Sequence, residues 1–281
     1  MRTPEPRVSA LPAIALLVCS GLACSYLRPK PKLTWHLTLQ LDAATDRAAA
    51  TQQAITIIER RLTAAGVSNF EVKPDGDPGN GRILVNLPTT NDQNRLTKLI
   101  TDQGKLELVA LVSPPSPAPV QTYITKEEAV TSLSSDGTIP ANRRVLPYAE
   151  RQEPSDTVAQ PSNKKWVVVE SPAIVDGSDL RDASAERSRG GGAEYDIRFS
   201  LGKNGADKFG TWTGSHINQY LGVVRNDEVK SIAFIKSQIF DQGEITGRFT
   251  KQSAEDLALV LKSGSLPGRV VVIDEKIDPA K

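Results

Sequence analysis

The alternation of apolar and polar residues at 33–41 constrains the fold of this chain more than any other feature. The segment reads LTWHLTLQL, with a leucine or tryptophan at every second position from Leu33 to Leu41. Because successive side chains of a β-strand point to opposite faces, this pattern predicts a strand with one buried face. A sheet covered by helices on that face satisfies the requirement.

The segments that follow predict the remaining parts of a split βαβ unit. A helix is predicted at about 46–65, where apolar residues spaced three or four apart from Ile55 to Ala65 form one stripe, and Gly66 is expected to end it. Strands are predicted near 67–73, at 82–88 and at 105–112. A second helix is predicted between the last two strands; Thr90 and Gln93 form a capping box at its start, and Gly104 ends it. The order β-α-β-β-α-β predicts a ferredoxin-like unit that the strand at 105–112 closes.

The chain after this unit is predicted to form an inserted region. Four prolines in SPPSPAPV, residues 113–120, break the pattern and predict a linker. Up to about residue 165 the chain is polar and is expected to be irregular, apart from a short helix that Thr125 caps with Glu128. The strand WVVVE at 166–170 then begins a second organised region. Its further elements are a loop through residues 190–192, a strand at 193–201, a short helix with Phe209 and Trp212, and strands near 221–224 and 231–235.

A weak internal repeat indicates how the two regions are connected. Residues 82–112 and 243–274 both read as strand, polar cap, helix, glycine and strand. In the second copy Thr250 is predicted to cap the helix and Gly264 to end it. We therefore predict an α+β fold, in which an inserted α+β head interrupts a ferredoxin-like (split βαβ) base. The predicted units are a signal or anchor at 1–27, a spacer at 28–32, the first half of the base at 33–112, the head at 113–240, the second half of the base at 241–276 and a polar tail at 277–281.

The N-terminal segment is predicted to be a targeting or anchoring device. Residues 8–27 read VSALPAIALLVCSGLACSYL, an uncharged run about long enough to span a bilayer once, and Arg2 and Arg7 precede it. One interpretation is a secretory signal cleaved before Cys24, which would carry lipid, since GLAC at 21–24 resembles an imperfect lipobox. An uncleaved single-span anchor and a plain cleaved signal peptide are the alternatives. All three place the rest of the chain outside the cytoplasm.

The composition of the remaining chain argues against most kinds of chemistry. No cysteine follows Cys24, which excludes disulfides and cysteine-based zinc sites there. The two histidines, His36 and His216, are expected to have structural roles, and the sequence contains no Ser-His-Asp, P-loop or dinucleotide-binding pattern. The formal net charge is only +1 and aromatic residues make up only 5% of the chain, so a nucleic-acid partner is not expected. We expect no enzymatic activity, no metal and no cofactor.

Several stretches of the chain resemble a known family. ITIIERRLTAAGVSNFEV (55–72), followed by GRILVNLP (81–88), resembles the opening of the first periplasmic domain of SecD, the accessory subunit of the bacterial Sec protein-export translocase. FSLGKNGADKFGTWT (199–213) is similar to a later stretch of that domain, and residues 231–267 resemble its most recognisable block. Together the matches extend over nearly all of 36–274. The family-signature positions are Gly66, Gly205, Phe209, Gly243, Gly247, Phe249, Thr250, Ala254, Leu257, Gly264, Leu266 and Pro267.

Three departures from the family limit what the resemblance implies. RPKPKLTW stands in place of the family's DLxGG-type segment before the first strand, and Phe234 stands where the family has a proline. The sequence also ends where the family enters its second transmembrane helix. The resemblance implies that a full subunit has a membrane domain whose charged residues use the proton gradient. None of those residues is in this sequence, so proton coupling is not implied for it.

The resemblance implies a periplasmic domain whose mobile head holds the emerging polypeptide. Phe209, Trp212 and Tyr220 fall in the matching head stretch and could face a bound chain, or they could belong to the core, since Phe209 and Trp212 share helical spacing. The predicted function is that of a membrane-tethered, SecD-like domain in protein transport, which holds secreted polypeptides or docks on membrane subunits of the Sec translocon, without its own proton-driven motor. The alternative is a structural or adaptor envelope lipoprotein that keeps the fold but not the export role.

Overall fold

The computed structural model describes residues 31–43, 45–134, 136–149, 164–189 and 193–279. Within these ranges the chain forms five α-helices and thirteen β-strands, and the strands are arranged in three sheets. The predicted signal or anchor segment lies outside the described residues. The chain is a mixed α+β protein, as predicted.

The helices and strands are distributed along the whole described chain. The helices are α1 (Arg47–Ala64), α2 (Gln93–Thr101), α3 (Lys126–Thr131), α4 (Lys203–Ser215) and α5 (Lys251–Ser263). The strands are β1 (Trp35–Asp42), β2 (Glu71–Pro74), β3 (Arg82–Leu87), β4 (Leu106–Ala110), β5 (Arg143–Ala149), β6 (Lys164–Glu170), β7 (Val175–Asp176), β8 (Leu180–Arg187), β9 (Tyr195–Leu201), β10 (Tyr220–Arg225), β11 (Glu228–Phe234), β12 (Gln242–Phe249) and β13 (Arg269–Ile277).

The first sheet contains four antiparallel strands in the order β13-β1-β3-β2. The alternation predicted for β1 is confirmed, because Trp35, Leu37, Leu39 and Leu41 are all fully buried. These four side chains form one apolar core with residues of α1 and α2, including Ile58. The two helices therefore cover the apolar face of this sheet, as the sequence pattern requires.

The fourth strand of this sheet is β13, which corrects the prediction that the strand at 105–112 closes the unit. β4, which forms within that segment, pairs instead with β10 and β7 in the second sheet. All five residues of β4 are buried, which suits a strand covered on both faces in the interior of a sheet. β13 has mostly exposed side chains, as expected for a strand at the edge of a sheet that faces solvent on one side.

The second and third sheets contain most of the chain between the two copies of the repeat. The second sheet has the order β6-β5-β11-β10-β4-β7, and the third has the order β12-β9-β8. The segment up to about residue 165 was predicted to be irregular but contains β5. The stretch before residue 193 was predicted to be a loop but contains β8. β8 has only Ala183 fully buried, so its sequence LRDASAER lacks the apolar alternation that identifies a strand.

The predicted helix ends agree with the structure in four cases. Gly66 follows α1 with φ +80°, and Gly264 follows α5 with φ +97°, where a residue with a side chain is strained. The Thr125 side chain accepts from the Glu128 N–H, and the capping box at the start of α3 is complete. The Thr250 side chain accepts from the Ser253 N–H at the start of α5.

The capping box predicted at the start of α2 is wrong. The N-cap residue is Asp92, and its side chain makes no capping hydrogen bond. Thr90 lies two residues earlier and its hydroxyl oxygen accepts from the Asp92 N–H at 3.3 Å. The Gln93 amide nitrogen is buried without a partner among the described residues. An ST turn before the helix thus replaces the predicted cap, because the hydroxyl satisfies a backbone donor outside the helix.

Candidate functional site

The C-terminal half of α5 and the loop after it connect the first sheet to the rest of the molecule. Val260 of α5 belongs to the core of the first sheet, whereas Leu257 and Leu261 belong to the core around the third sheet. The loop that follows contributes Leu266 to the first core, and the Leu266 N–H donates to the Gln103 carbonyl at 2.8 Å. One helix thus packs in two cores, and the SGSLP loop at its end lies between them.

Arg61 of α1 is completely buried in this region, where it contacts the C-terminal ends of two other helices. Its Nε donates to Ser263 Oγ at 3.0 Å, and its Nη2 donates to the Gly264 carbonyl at 3.0 Å. Its Nη1 donates to the Leu99 carbonyl at 2.9 Å and also to the Asp102 carbonyl. Carbonyls at a helix C-terminus lack intrahelical donors and carry the negative end of the helix dipole. The guanidinium therefore supplies donors and positive charge to the ends of both α2 and α5.

Arg61 remains cationic despite its burial. Burial lowers the pKa of Arg61 to about 10, and the negative charge of Asp102 opposes this effect. A pKa of about 10 still leaves the guanidinium protonated at neutral pH. The hydrogen bonds to the helix ends are therefore charge-assisted.

The Asp102 carboxylate extends this network to the hairpin formed by β10 and β11. It pairs with Arg225 at the end of β10, and it accepts from Asn226 Nδ2 at 3.0 Å and from the Gly104 N–H at 2.8 Å. The hairpin belongs to the second sheet, whereas Asp102 follows a helix of the first core. We call the group formed by Arg61, Asp102, Arg225, Ser263 and Gly264 the junction.

A second set of ion pairs lies beside the junction and involves the same hairpin turn. Lys105 Nζ lies 2.8 Å from Asp227 Oδ1 and 3.5 Å from Glu107 Oε2. Arg144 Nη1 of β5 donates to the nearly buried Glu107 carboxylate at 3.0 Å. Arg144 Nη1 also lies 3.7 Å from Asp227 Oδ1, so charged groups attach the turn to β5 and to Lys105, the residue before β4.

The electrostatics of Asp102 follow from these contacts. Burial is the largest single influence and raises the pKa of Asp102, but the charge of Arg225, the Asn226 amide, the Gly104 N–H and the charge of Arg61 together outweigh it. The pKa of the carboxyl therefore lies below its usual value of 3.8. The ionised form is the one that the folded protein stabilises.

Replacing Asp102 by asparagine is expected to remove a contribution to stability that exists at neutral pH and is lost in acid. Because the folded-state pKa is lowered, the contribution is complete above the unfolded pKa and disappears as the pH falls through the folded pKa. Urea unfolding of both proteins, at neutral pH and at about pH 2, measures this difference. We expect the free energies of unfolding to differ at neutral pH and to converge in acid. An equal difference at both pH values would contradict the assignment.

A cleft of about 740 Å³ lies next to the junction. One wall is formed by α1, through Gln53, Thr56 and Arg60, and another by the turn at residues 176–178. The loop at 263–267 also lines it. We call this space the α1 cleft.

A second cleft of about 530 Å³ lies between α2 and α5. Its lining includes the signature residues Phe249, Thr250 and Leu257. Arg95 of α2 crosses it and forms a bidentate pair with Asp256 of α5, with nitrogen–oxygen distances of 2.7 and 3.0 Å. This ion pair connects the two helices, so the charges of Arg95 and Asp256 in this cleft are already paired.

The aromatic residues predicted to face a bound chain or to lie in the core are distributed over two cores. Phe209 is only 2% exposed and lies in the core around the third sheet, so it offers no surface to a ligand in this structure. Trp212 is half-buried and stacks on His216, with ring centroids 4.2 Å apart. Tyr220 is half-buried in a different core and donates its hydroxyl to the Ala118 carbonyl at 2.7 Å. The three side chains do not share one core.

The family-signature residues cluster in α4, β12, α5 and the loop after α5. Gly66 follows α1, Gly205 and Phe209 lie in α4, Gly243, Gly247 and Phe249 lie in β12, Thr250 caps α5, Ala254 and Leu257 lie within α5, and Gly264, Leu266 and Pro267 follow it. Gly243 has a direct steric role, because a Cβ there would lie 2.2 Å from the Phe199 ring of the paired strand. Gly264 and Leu266 contact the junction or the first core, as described above.

Within the described ranges, no cluster of three or more histidine, cysteine, aspartate or glutamate side chains is placed to bind a metal ion. No helix in the same ranges is both long and apolar enough to cross a membrane. His36 Nδ1 lies 2.7 Å from Asn86 Oδ1 on the polar face of the first sheet. Cys24, the predicted lipid attachment site, lies outside the described residues.

The sequence interpretation missed Arg61, although a signal for it exists. In ITIIERRL the second arginine comes three residues after Ile58 and immediately before Leu62, so it falls on the apolar side of the helix. Arg60 falls on the exposed side of the same helix. A charged residue within an apolar stripe indicates a buried ion or hydrogen-bond network.

Comparison with known proteins identifies the family. Residues 51–113 match the family model for the N-terminal part of the P1 domain of the SecDF protein translocase subunit, and residues 153–268 match that of the SecDF P1 head subdomain. The SecD protein translocase subunit of Koribacter versatilis is 34% identical over 250 residues, which is 88% of this chain and 42% of the relative. The SecD subunit of Aquifex aeolicus is 33% identical over 226 residues, which is 80% of this chain and 39% of the relative.

A solved structure of SecDF, a membrane component that enhances protein export, is similar in fold. It shares 25% sequence identity with a TM-score of 0.60, and the similarity covers 85% of this chain and 98% of that chain. The chain spans 42% and 39% of the length of the two SecD relatives. These matches show that the chain belongs to the SecD family and carries its P1 domain.

Proposed function

We propose that this protein acts in bacterial protein export by holding a translocating polypeptide or by docking on the membrane subunits of the Sec translocon. The observation that carries the proposal is the match of both parts of the P1 domain, its N-terminal part at 51–113 and its head at 153–268. The similarity in fold to a SecDF structure over 85% of the chain supports it. The proposed role is that of a binding domain, and no proton-driven step is assigned to it.

The proposal includes a division into base and head. The base is a ferredoxin-like unit of α1, α2, β1, β2, β3 and β13, in which β13 takes the position of the fourth strand. The head contains the second and third sheets. Because β4 and β12 pair with strands of these sheets, the proposed insertion runs from β4 to β12 and is wider than the predicted 113–240. The junction then lies between base and head and determines how they are held together.

We also propose that the domain works on the extracytoplasmic side of the bacterial envelope, attached through its N-terminus. The attachment would be lipid on Cys24 after cleavage, or residues 8–27 kept as a single span. In either case the spacer at 28–32 leads directly to β1 of the base. The base would therefore face the membrane and the head would face away from it.

Crosslinking in living cells tests the proposed function. The full chain with a C-terminal affinity tag is crosslinked, purified under denaturing conditions and analysed by mass spectrometry. We expect membrane subunits of the Sec translocon or secreted polypeptides among its partners. The matched control carries residues 1–32 of this protein fused to an unrelated folded domain. Recovery of the same partners by the control, together with normal secretion in a deletion strain, would contradict the proposal and favour the adaptor lipoprotein.

A further inference from the structure

Helix α1 has a polar face besides the apolar stripe that packs on the first sheet. Gln53, Thr56 and Arg60 follow one another at spacings of three and four residues, and all three line the α1 cleft. At a rise of about 1.5 Å per residue, this polar face extends for roughly 10 Å. A stretch of about three residues of extended polypeptide has the same length.

The lining of the cleft offers unused hydrogen-bonding groups. Within the described part of the chain, the side chains of Gln53, Arg60 and Gln103 have no hydrogen-bond or ion-pair partner, although all three line the cleft. Leu106 and Leu266 also border the cleft but are almost completely buried. The surface of the cleft is therefore mainly polar, which suits a ligand that forms hydrogen bonds. The cleft volume of about 740 Å³ lies in the range of small-molecule ligand sites.

The charges around the cleft are balanced, which argues for a ligand without strong charge. Arg60 and Lys105 contribute two positive charges, and Glu107 and Asp176 contribute two negative ones. Lys105 pairs with Asp227 at 2.8 Å, Glu107 pairs with Arg144 at 3.0 Å, and the Asp176 carboxylate accepts from the Ser178 hydroxyl at 2.6 Å. An anion such as phosphate would require a positive excess that this arrangement lacks.

The turn at 176–178 and the loop at 263–267 come from different parts of the fold and approach each other closely beside the cleft. A Cβ on Gly177 would lie 2.9 Å from Ser265 Oγ, which in turn donates to the Gly104 carbonyl at 2.9 Å. Gly177 belongs to the turn between β7 and β8, and Ser265 to the signature loop. The width of the cleft therefore depends on the position of the head relative to the base.

We propose that the α1 cleft binds a short extended segment of unfolded polypeptide, mainly through backbone amide and carbonyl groups. This inference rests on the proposed function and names its binding site. The free amides of Gln53 and Gln103 can each donate to and accept from a backbone, so recognition is independent of sequence. The balanced charges exclude no common type of segment. The cleft is thus assigned the role that the sequence suggested for Phe209, Trp212 and Tyr220.

Site-specific photocrosslinking at two adjacent glutamines tests the assignment. A photoreactive amino acid replaces Gln53, which lines the cleft, or Gln52, which is also exposed on α1 but lies outside the cleft. The probe is a reduced, carboxymethylated polypeptide that cannot fold, and its disulfide-intact folded form is the control. We expect the unfolded probe to crosslink at position 53 and not at position 52, and the folded form to crosslink at neither.

The outcomes separate the site from the proposed function. Binding of the unfolded probe to the full-length wild-type protein in detergent is measured first, by fluorescence anisotropy. If the probe binds but crosslinks equally at both positions, or not at position 53, the α1 cleft is overturned and the proposed function stands. If the unfolded probe does not bind at all, the polypeptide-holding function fails together with its site.

A substitution that narrows the cleft gives an independent measurement. Gln53→Trp fills the space beside α1 and removes a free amide, so we expect the Kd for the unfolded probe to rise about tenfold. Gln52→Trp adds the same bulk outside the cleft and should leave the Kd unchanged. Both positions are exposed, so thermal unfolding should confirm that both variants remain folded. Equal effects of the two substitutions would overturn the assignment.

Discussion

Replacing Arg61 by methionine is expected to lower the free energy of unfolding by roughly 3–5 kcal/mol. The substitution removes a cation that is completely buried and that donates to Ser263 Oγ and to carbonyls at the ends of α2 and α5. Those acceptors would stay buried without donors, and the Asp102 carboxylate would lose one of its compensating charges. Urea unfolding of the full-length protein, followed by circular dichroism, measures the change.

The neighbouring arginine supplies a matched control for this experiment. Arg60 lies on the exposed side of α1 and makes no hydrogen bond or ion pair within the described part of the chain. Arg60→Met is therefore expected to change the free energy of unfolding by no more than about 0.5 kcal/mol. If the two substitutions had similar effects, Arg61 would not have the role in holding the helix ends together that its contacts indicate.

Replacing Gly268 by alanine is expected to lower the free energy of unfolding by about 1–3 kcal/mol or more. A Cβ at this position would lie 2.1 Å from the Asp42 carbonyl oxygen and 2.9 Å from its carbonyl carbon. Both are backbone atoms of β1, so the contact cannot be relieved by rotation of a side chain. The next residue, Arg269, pairs with Asp42 at the start of β13, and the strand would have to shift as a whole.

A glycine-to-alanine substitution in α4 should change the free energy of unfolding in the opposite direction. A Cβ on Gly210 would meet its nearest neighbour, Phe240 Cδ1, at 3.6 Å, which is ordinary van der Waals contact. Because glycine in a helix interior is less favourable than alanine, Gly210→Ala is expected to stabilise the protein by about 0.5–1 kcal/mol. Thermal unfolding of both variants tests the pair. A Gly268→Ala protein as stable as the wild type would show that β1 and β13 do not approach as closely as described.

The elements predicted correctly from the sequence are those whose signals lie within a few consecutive residues. The alternation of β1 and the stops at Gly66 and Gly264 were readable because the periodicity or backbone preference lies within a few residues. By contrast, β4 pairs with β10, which is more than 100 residues away in the sequence, rather than with a strand of the first sheet. Its four apolar residues are compatible with either sheet, so the local pattern could not decide between them.

The candidate site was predicted in outline only. The resemblance identified the SGSLP loop as part of the signature block, and the structure places this loop at the junction and beside the α1 cleft. The walls of the cleft come from α1, the turn at 176–178 and the loop after α5, so no single stretch of sequence describes them. Arg61 was overlooked because arginine on a helix is usually solvated, and only its place in the apolar stripe distinguishes it from Arg60.

The pairing of β1 with β13 also determines the order in which the protein can fold. Trp35 and Ile277 pair across the first sheet, although they lie near opposite ends of the described chain. The hairpins β8–β9 and β10–β11 join strands that are close in sequence, so they can form early. The edge of β1 must wait for β13, because closing so long a loop is the entropically costly step. We therefore expect the first sheet to be completed last, after the sheets whose strands lie between its own.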